Sequence, residues 1–95
     1  MAIRETDYAT ELARGTHPFD DAEEARIERL LIKDSNLEEI RFSWWKDGRM
    51  MMRPLDLTED SLLSLLTNAA ASGVFTFKFM AELQKLPSTC LQAKS

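Results

Sequence analysis

The stretch WWKDGRMMMR, residues 44–53, decides how the middle of the chain folds. Asp47-Gly48 stands between two runs of aromatic and apolar residues, and this dipeptide is among the strongest short-range signals for a β-hairpin. The pattern predicts a hairpin over residues 37–55, and Pro54 suits the end of an edge strand. The register of this hairpin matters, because a slip of one residue turns every side chain to the other face.

Two registers compete for this hairpin. A two-residue type I′ loop at residues 47–48 places Arg53 on the same face as Trp44. A type I turn at residues 46–47, followed by a G1 bulge at Gly48, keeps that face wholly apolar. Because an uncompensated buried arginine costs several kcal/mol, we expect the bulge register. The expected buried face then carries Ile40, Phe42, Trp44, Met50, Met52 and Pro54.

The opposite face of the hairpin is the best candidate for a binding surface. Residues 40–54 hold four basic side chains and a single acid, so the local charge is +3 on a chain whose net charge is −4. Tryptophan, methionine and arginine are enriched at protein–protein interfaces, and basic residues interleaved with an aromatic ring also suit nucleic acids. The alternative is that the acidic N-terminal third covers this face and pairs with its arginines. The predicted partner-binding residues are Arg41, Trp45, Arg49, Met51 and Arg53.

Helical patterns precede the hairpin. The sequence predicts a short helix around residues 6–14 and a longer one over about residues 20–33. A third strand over residues 29–33 competes with the end of the longer helix, because its three consecutive aliphatic residues suit either structure.

Two further helices are indicated after the hairpin. Thr58 is the predicted N-cap of the first, and Gly73 followed by Val74 has the layout of a Schellman motif at its end. The last helix starts at Thr76, and Pro87 predicts its end. The buried stripe expected on the first of these helices comprises Leu62, Leu65, Leu66 and Ala69.

The predicted fold is a small single α+β domain of the order helix–β-hairpin–helix–helix, with the helices packed on one face of the hairpin. A chain of 95 residues suits one core, and an isolated two-stranded hairpin needs such packing in water. We expect a partly flexible N-terminal segment at residues 1–18, the domain at residues 19–87 and a flexible tail at residues 88–95.

The last two helices resemble a helix-turn-helix motif over about twenty residues. Ala69, Gly73 and Val74 have the spacing of that family's alanine, turn glycine and following apolar residue, and Phe79 falls on a core position. The resemblance implies DNA reading by this helix pair. A plain αα-hairpin is the alternative interpretation of the same residues.

The sequence carries no signature of catalysis, metal binding or nucleotide binding. His17 is the only histidine and Cys90 the only cysteine, so neither a zinc site nor a disulfide framework is predicted. The carboxylates at the predicted helix starts are explained by capping and by the helix dipole. We therefore expect a non-enzymatic protein with no catalytic residues, metal-binding residues or cofactor.

These observations favour a small interaction module that binds a protein partner or a second copy of itself through the outer hairpin face. The alternative is a nucleic-acid-associated regulator that uses the same face or the C-terminal helix pair, although the acidic net charge opposes binding of a polyanion. No small-molecule substrate is evident. Since no signal peptide or membrane-spanning stretch is evident either, we expect a cytoplasmic protein of bacterial type.

Overall fold

A computed structural model describes residues 3–93, and the side chains of residues 89 and 91–93 lie outside this description. Within that range the strands form one antiparallel, curled sheet of order β1-β2-β3-β4-β5, and the helices follow. This strand-first order contradicts the predicted helix–hairpin–helix–helix order. The elements are β1 (Arg4–Glu5), β2 (Ala9–Pro18), β3 (Glu23–Ile32), β4 (Glu38–Lys46), β5 (Arg49–Met50), α1 (Glu59–Ala71) and α2 (Phe77–Ala93).

The predicted helices at residues 6–14 and 20–33 are wrong, because this part of the chain forms the two longest strands. In β3 the apolar residues Ala25 and Ile27 alternate with charged residues at the period of two that a strand requires. Arg26 and Glu28 of β3 face the inside of the curled sheet rather than water, so this part of the chain has the charge pattern of an amphipathic helix without being one. The alternative prediction of a strand at residues 29–33 is confirmed as far as Ile32, and the strand extends back to Glu23.

β2 contains a β-bulge that determines which of its side chains share a face. The register with β3 shifts between Glu11 and Ala13, so Leu12 is the extra residue. Because the extra residue interrupts the alternation of side chains, Glu11 and Arg14 lie on the same face and form an ion pair.

The β4–β5 hairpin adopts the register that the sequence argument disfavoured. Lys46 pairs with Arg49, and Asp47 and Gly48 have φ values of 52° and 76°, as a type I′ turn requires. The predicted G1 bulge is therefore wrong. Arg53 is not buried in the observed register, because β5 is only two residues long and Arg53 lies exposed beyond its end.

The predicted apolar face of the hairpin is consequently not the core. Phe42 is 53% exposed, whereas Trp45, which was expected on the outer face, is 8% exposed. Arg4 of β1 contacts the ring of Trp45 on β4, although the two strands are separated by three spacings of about 4.8 Å in a flat sheet. The sheet therefore curls toward the face that carries Arg4 and Trp45, which we call the inner face.

Helix α1 packs across β2 and β3 on the other face of the sheet, which we call the outer face. The closest approach is at Gly15, where an added Cβ would lie 2.3 Å from the Cα of Ala69. Of the predicted stripe on α1, Leu65 and Ala69 are buried and Leu66 is partly buried, but Leu62 is exposed. The core cluster comprises Ala13, Ala25, Ile27, Leu65, Ala69 and Val74.

The caps of α1 are confirmed. The Thr58 hydroxyl accepts a hydrogen bond from the Ser61 N–H. At the other end, Val74 N–H donates to Ala69 O at 3.0 Å and Gly73 N–H donates to Ala70 O at 3.3 Å, the two hydrogen bonds of a Schellman motif.

The predicted end of α2 at Pro87 is wrong, because this proline lies inside a helix that continues to Ala93. Proline removes one backbone donor and leaves the carbonyl of Leu83 without its intrahelical partner. Leu83 lies on an exposed part of the helix, where water can bond to that carbonyl.

The elements extend past the predicted domain limits. Residues 9–18 form β2, and α2 includes residues 88–93. The predicted flexibility of both ends stays a prediction, and residues 1, 2, 94 and 95 lie outside the described residues. Within the described part of the chain, neither helix has the length and apolar character needed to cross a membrane.

Candidate interaction site

The inner face of the sheet holds a cluster of charged side chains around two buried glutamates. Glu28 on β3 is fully buried, and Glu11 on β2 is nearly so. Arg14 donates to Glu11 with an Nη2–Oε1 distance of 2.7 Å, and Arg41 donates to Glu28 with an Nη2–Oε1 distance of 2.8 Å. The Ser43 hydroxyl donates to the same oxygen of Glu28 at 3.0 Å. Each of the two buried carboxyl groups therefore contacts an arginine side chain.

The two glutamates have opposite pKa shifts. Burial raises the pKa of Glu28, a hydrogen bond with Glu11 raises it further, and Arg41 opposes the rise. Burial also acts to raise the pKa of Glu11, but hydrogen bonds with Arg14 and Glu28 outweigh it and lower this pKa below its ordinary value of 4.5. No described residue donates a hydrogen bond to Oε2 of Glu28.

Trp45 is enclosed by two arginines of the inner face. The guanidinium carbon of Arg26 lies 3.9 Å from the ring centroid, and that of Arg4 lies 4.7 Å from it. The indole N–H donates to the Ser43 hydroxyl at 2.9 Å, and Arg26 is itself paired with Glu24. Trp45 is therefore part of the internal packing of the sheet.

The five predicted partner-binding residues do not share one surface. Arg41 and Trp45 lie on the inner face and are held by contacts from β1 and β3, so the N-terminal third covers this region, as the alternative interpretation expects. Arg49 is exposed on β5 and lies on the opposite face of the hairpin from Trp45. Met51 is half-buried and Arg53 exposed, both beyond the last strand. Binding of a partner by these five residues stays a prediction.

An uncovered apolar stripe lies on α2. This helix of 17 residues packs against neither the sheet nor α1 in the described part of the chain. Phe79, Leu83 and Leu86 recur at spacings of four and three, so they line one side of the helix, and all three are exposed. We call these residues the α2 stripe. The periodicity of these residues indicates an apolar face, but it does not tell whether the covering surface belongs to the same chain.

A second uncovered apolar surface lies on the outer face of β4. Ile40 and Phe42 are 38% and 53% exposed, because α1 covers β2 and β3 but leaves β4 uncovered. We call these two residues the β4 strip. Both were expected in the core on account of the hairpin register.

The connection between the helices holds α2 away from the rest of the chain. Gly73 and Val74 are hydrogen-bonded back to α1. Phe75 packs partly against the core cluster, and its ring lies 5.1 Å from that of Phe79. The Thr76 hydroxyl accepts a hydrogen bond from the Phe79 N–H at 3.1 Å, which caps α2. α2 makes no contact with β4 within the described residues, so the α2 stripe does not reach the β4 strip of its own chain.

No protein family, curated protein or solved structure matches this chain. Among the described residues, no group of three or more His, Cys, Asp and Glu side chains is placed to hold a metal ion. His17 lies on β2 with its Nδ1 3.0 Å from the Ser64 hydroxyl, and Cys90 is exposed on α2. The exposed surfaces of the molecule are therefore the features that bear on its function.

Proposed function

We propose that the protein is a non-enzymatic interaction module that binds a second copy of itself, with the α2 stripe of each copy packed on the β4 strip of the other. The observation that carries the proposal is an amphipathic helix without a packing partner among the described residues of its own chain. Isolated helices of this length are marginal in water, and most helical stability in proteins comes from packing of the apolar face. The α2 stripe therefore needs a surface to cover it.

A second copy supplies that surface. The β4 strip is apolar and uncovered, and within the described residues it makes no contact with the α2 stripe of the same chain. A two-fold axis that places one α2 on the other β4 repeats the contact, so both uncovered surfaces of both copies are buried and the assembly closes. Pairing of the two α2 helices with each other would leave both β4 strips exposed.

Charged side chains lie near both surfaces. On α2 the described charged side chains are Lys78, Glu82 and Lys85, so the helix is positive on a chain of net charge −4. β4 begins with Glu38 and Glu39, immediately before the β4 strip. Glu38 is paired with Arg29 and Glu39 lies on the inner face, so the contact depends on the apolar surfaces rather than on attraction between charges.

The nucleic-acid alternative lacks comparable support. Arg41 was one of the arginines on which it depended, and this side chain is paired with Glu28 on the inner face. The C-terminal helix pair is not packed as a pair in the described part of the chain.

Sedimentation velocity over a concentration series tests the proposal. Because the loss of translational and rotational freedom offsets much of the gain from a modest apolar contact, the series should reach about 1 mM, the range of weak dimers. We expect the wild type to shift from monomer to dimer. Leu83→Glu should abolish the shift by placing a charge in the contact, whereas the matched control Leu63→Glu, at an exposed position on α1, should dimerise like the wild type.

Two results would contradict this function. One is a wild type that stays monomeric over the whole series. The other is equal loss of dimer in Leu83→Glu and Leu63→Glu, which would assign association to general surface hydrophobicity rather than to the α2 stripe.

A further inference from the structure

A cleft of about 230 Å³ opens beside the end of β4 and the segment that precedes α1. Its walls combine aromatic and aliphatic groups with two carboxylates. This volume is below the roughly 300–1,000 Å³ that is usual for sites of drug-sized ligands, so the cleft suits a ligand of the size of one side chain. The lining residues are Phe19, Glu23, Trp44, Pro54, Leu55 and Asp56.

The walls of this cleft are held in place by contacts within the chain. The indole N–H of Trp44 donates to Oε2 of Glu23, which orients both the ring and the carboxylate. Phe19 packs edge-to-face with His17, with ring centroids 5.5 Å apart and planes at 78°. Groups that are already oriented lose less entropy when a ligand binds.

The two carboxylates of the cleft have acceptor capacity that no described residue uses. Glu23 accepts the indole N–H through Oε2, and its other oxygen has no hydrogen-bond or ion-pair partner among the described residues. Asp56 likewise makes no ion pair or side-chain hydrogen bond with them. Two unneutralised carboxylates beside aromatic walls favour a cation with several donors.

Trp45, the next residue of β4, shows which cation a tryptophan ring and a carboxylate bind together. On the inner face, Arg26 stacks on Trp45 at 3.9 Å and is paired with the carboxylate of Glu24. Trp44, on the outer face, also has a carboxylate from β3, that of Glu23, but no arginine or lysine of the described residues lies over its ring. The planar guanidinium group matches both components, because it stacks on aromatic rings and donates to carboxylates in a fixed fork.

We propose that this cleft binds an arginine side chain of a polypeptide partner, with the guanidinium group stacked on Trp44 and hydrogen-bonded to Glu23 and Asp56. The site lies apart from the α2 stripe and goes beyond the proposed self-association. Lysine fits less well, since a compact ammonium group neither stacks nor donates in a fork.

Two matched peptides test the site by NMR. The probes are acetyl-Gly-Arg-Gly-amide and acetyl-Gly-citrulline-Gly-amide, which differ in charge but hardly in shape. In ¹H–¹⁵N spectra of the full chain at a low protein concentration, we expect the arginine peptide to shift the Trp44 indole and Phe19 backbone signals in a saturable manner. The citrulline peptide should leave them unchanged. Because the spectra are recorded at a concentration where the chain is monomeric, the result is independent of dimer formation.

Substitutions in the cleft complete the test. The double substitution of Glu23→Gln and Asp56→Asn removes both charges but keeps an acceptor for the Trp44 indole, so we expect the arginine peptide to bind about tenfold more weakly. Asp60→Asn on α1 removes one charge outside the cleft and should not change the affinity. Equal shifts with the citrulline peptide, absence of a saturable shift, or equal weakening by Asp60→Asn would each overturn the proposal.

Discussion

Substitution of Gly15 by alanine tests the packing of α1 on the sheet, and the position of the added Cβ indicates how much stability is lost. A Cβ on this residue would lie 2.3 Å from the Cα of Ala69 and 2.6 Å from both its N and its Cβ. Since non-bonded carbon atoms approach to about 3.5–4.0 Å, α1 must move away from β2 by more than about 1 Å. Two of the three atoms belong to the helix backbone, so a side-chain rotation cannot relieve the contact.

Overpacking of this kind usually costs about 1–3 kcal/mol. We expect Gly15→Ala to lower the free energy of unfolding by about 3 kcal/mol, because separation of α1 from the sheet also loosens Leu65 and Ala69 against the core. For a domain with a total stability of roughly 5–15 kcal/mol, this loss should lower the melting temperature by more than about 10 °C. Urea titration followed by tryptophan fluorescence measures the free energy directly.

A second substitution distinguishes the backbone clash from a side-chain clash. Ala69→Gly removes only the Cβ of residue 69, so it should restore little of the stability that Gly15→Ala loses. A Gly15→Ala variant within about 0.5 kcal/mol of the wild type, or full recovery in the double variant, would refute the close approach of α1 to β2.

Three further predictions concern the inner face and α2. The raised pKa of Glu28 means that the folded state favours the protonated form of this side chain. Its contribution to the free energy of unfolding is fully present below the ordinary pKa of 4.5. This contribution is lost as the pH rises through the pKa of the folded state. Urea unfolding over pH 4.5–8 should therefore show a decline that Glu28→Gln lacks, at a slope of at most about 1.4 kcal/mol per pH unit. Arg26→Ala should uncover one side of Trp45, shifting its fluorescence to the red, and should cost about 1 kcal/mol by loss of the cation–π contact. Pro87→Ala should restore a backbone hydrogen bond in α2 and raise the helical ¹³C shifts around residue 87.

Each of these predictions has an outcome that would contradict it. Equal dependence of stability on pH in wild type and Glu28→Gln would mean that this carboxyl is not held protonated. An unchanged emission maximum in Arg26→Ala would show that the guanidinium does not cover the indole of Trp45. Helical shifts that stop before Pro87 in the wild type would show that α2 ends there.

Features governed by local chemistry could be predicted from the sequence. Thr58 caps α1, and Gly73 with Val74 ends it, because capping depends on groups within a few residues of the helix end. The hairpin at Asp47-Gly48 was predicted for the same reason.

The fold of the N-terminal third could not be predicted, because two of its glutamates, Glu11 and Glu28, are buried. Their partners Arg14 and Arg41 lie on β2 and β4, and the sequence pattern alone does not bring these strands together. The predicted hairpin register was wrong because Arg53 is not part of the second strand. The cost of burying Arg53 applies only to a second strand long enough to include it, and strand length is set by where the chain turns toward α1.

The candidate site could likewise be predicted only where a local pattern determines it. Arg41 and Trp45 were correctly placed on one face of β4, since alternation along a strand determines this. The residues that cover that face are Arg4 of β1 and Arg26 and Glu28 of β3, and none of them lies in a segment that was predicted to be a strand. That the α2 stripe has no packing partner among the described residues of its own chain could not be predicted from the sequence.

Transfer of a nuclear Overhauser effect between copies tests the proposed self-association most directly. Equal amounts of ¹³C-labelled and unlabelled protein are mixed at a concentration where the dimer forms, and an isotope-filtered spectrum selects contacts between different molecules. We predict cross-peaks between the Leu83 methyl groups of one copy and the Phe42 ring protons of the other. Absence of these intermolecular cross-peaks, or cross-peaks between the two groups that persist in uniformly labelled protein diluted to the monomer, would contradict the packing of α2 on the β4 strip of another copy.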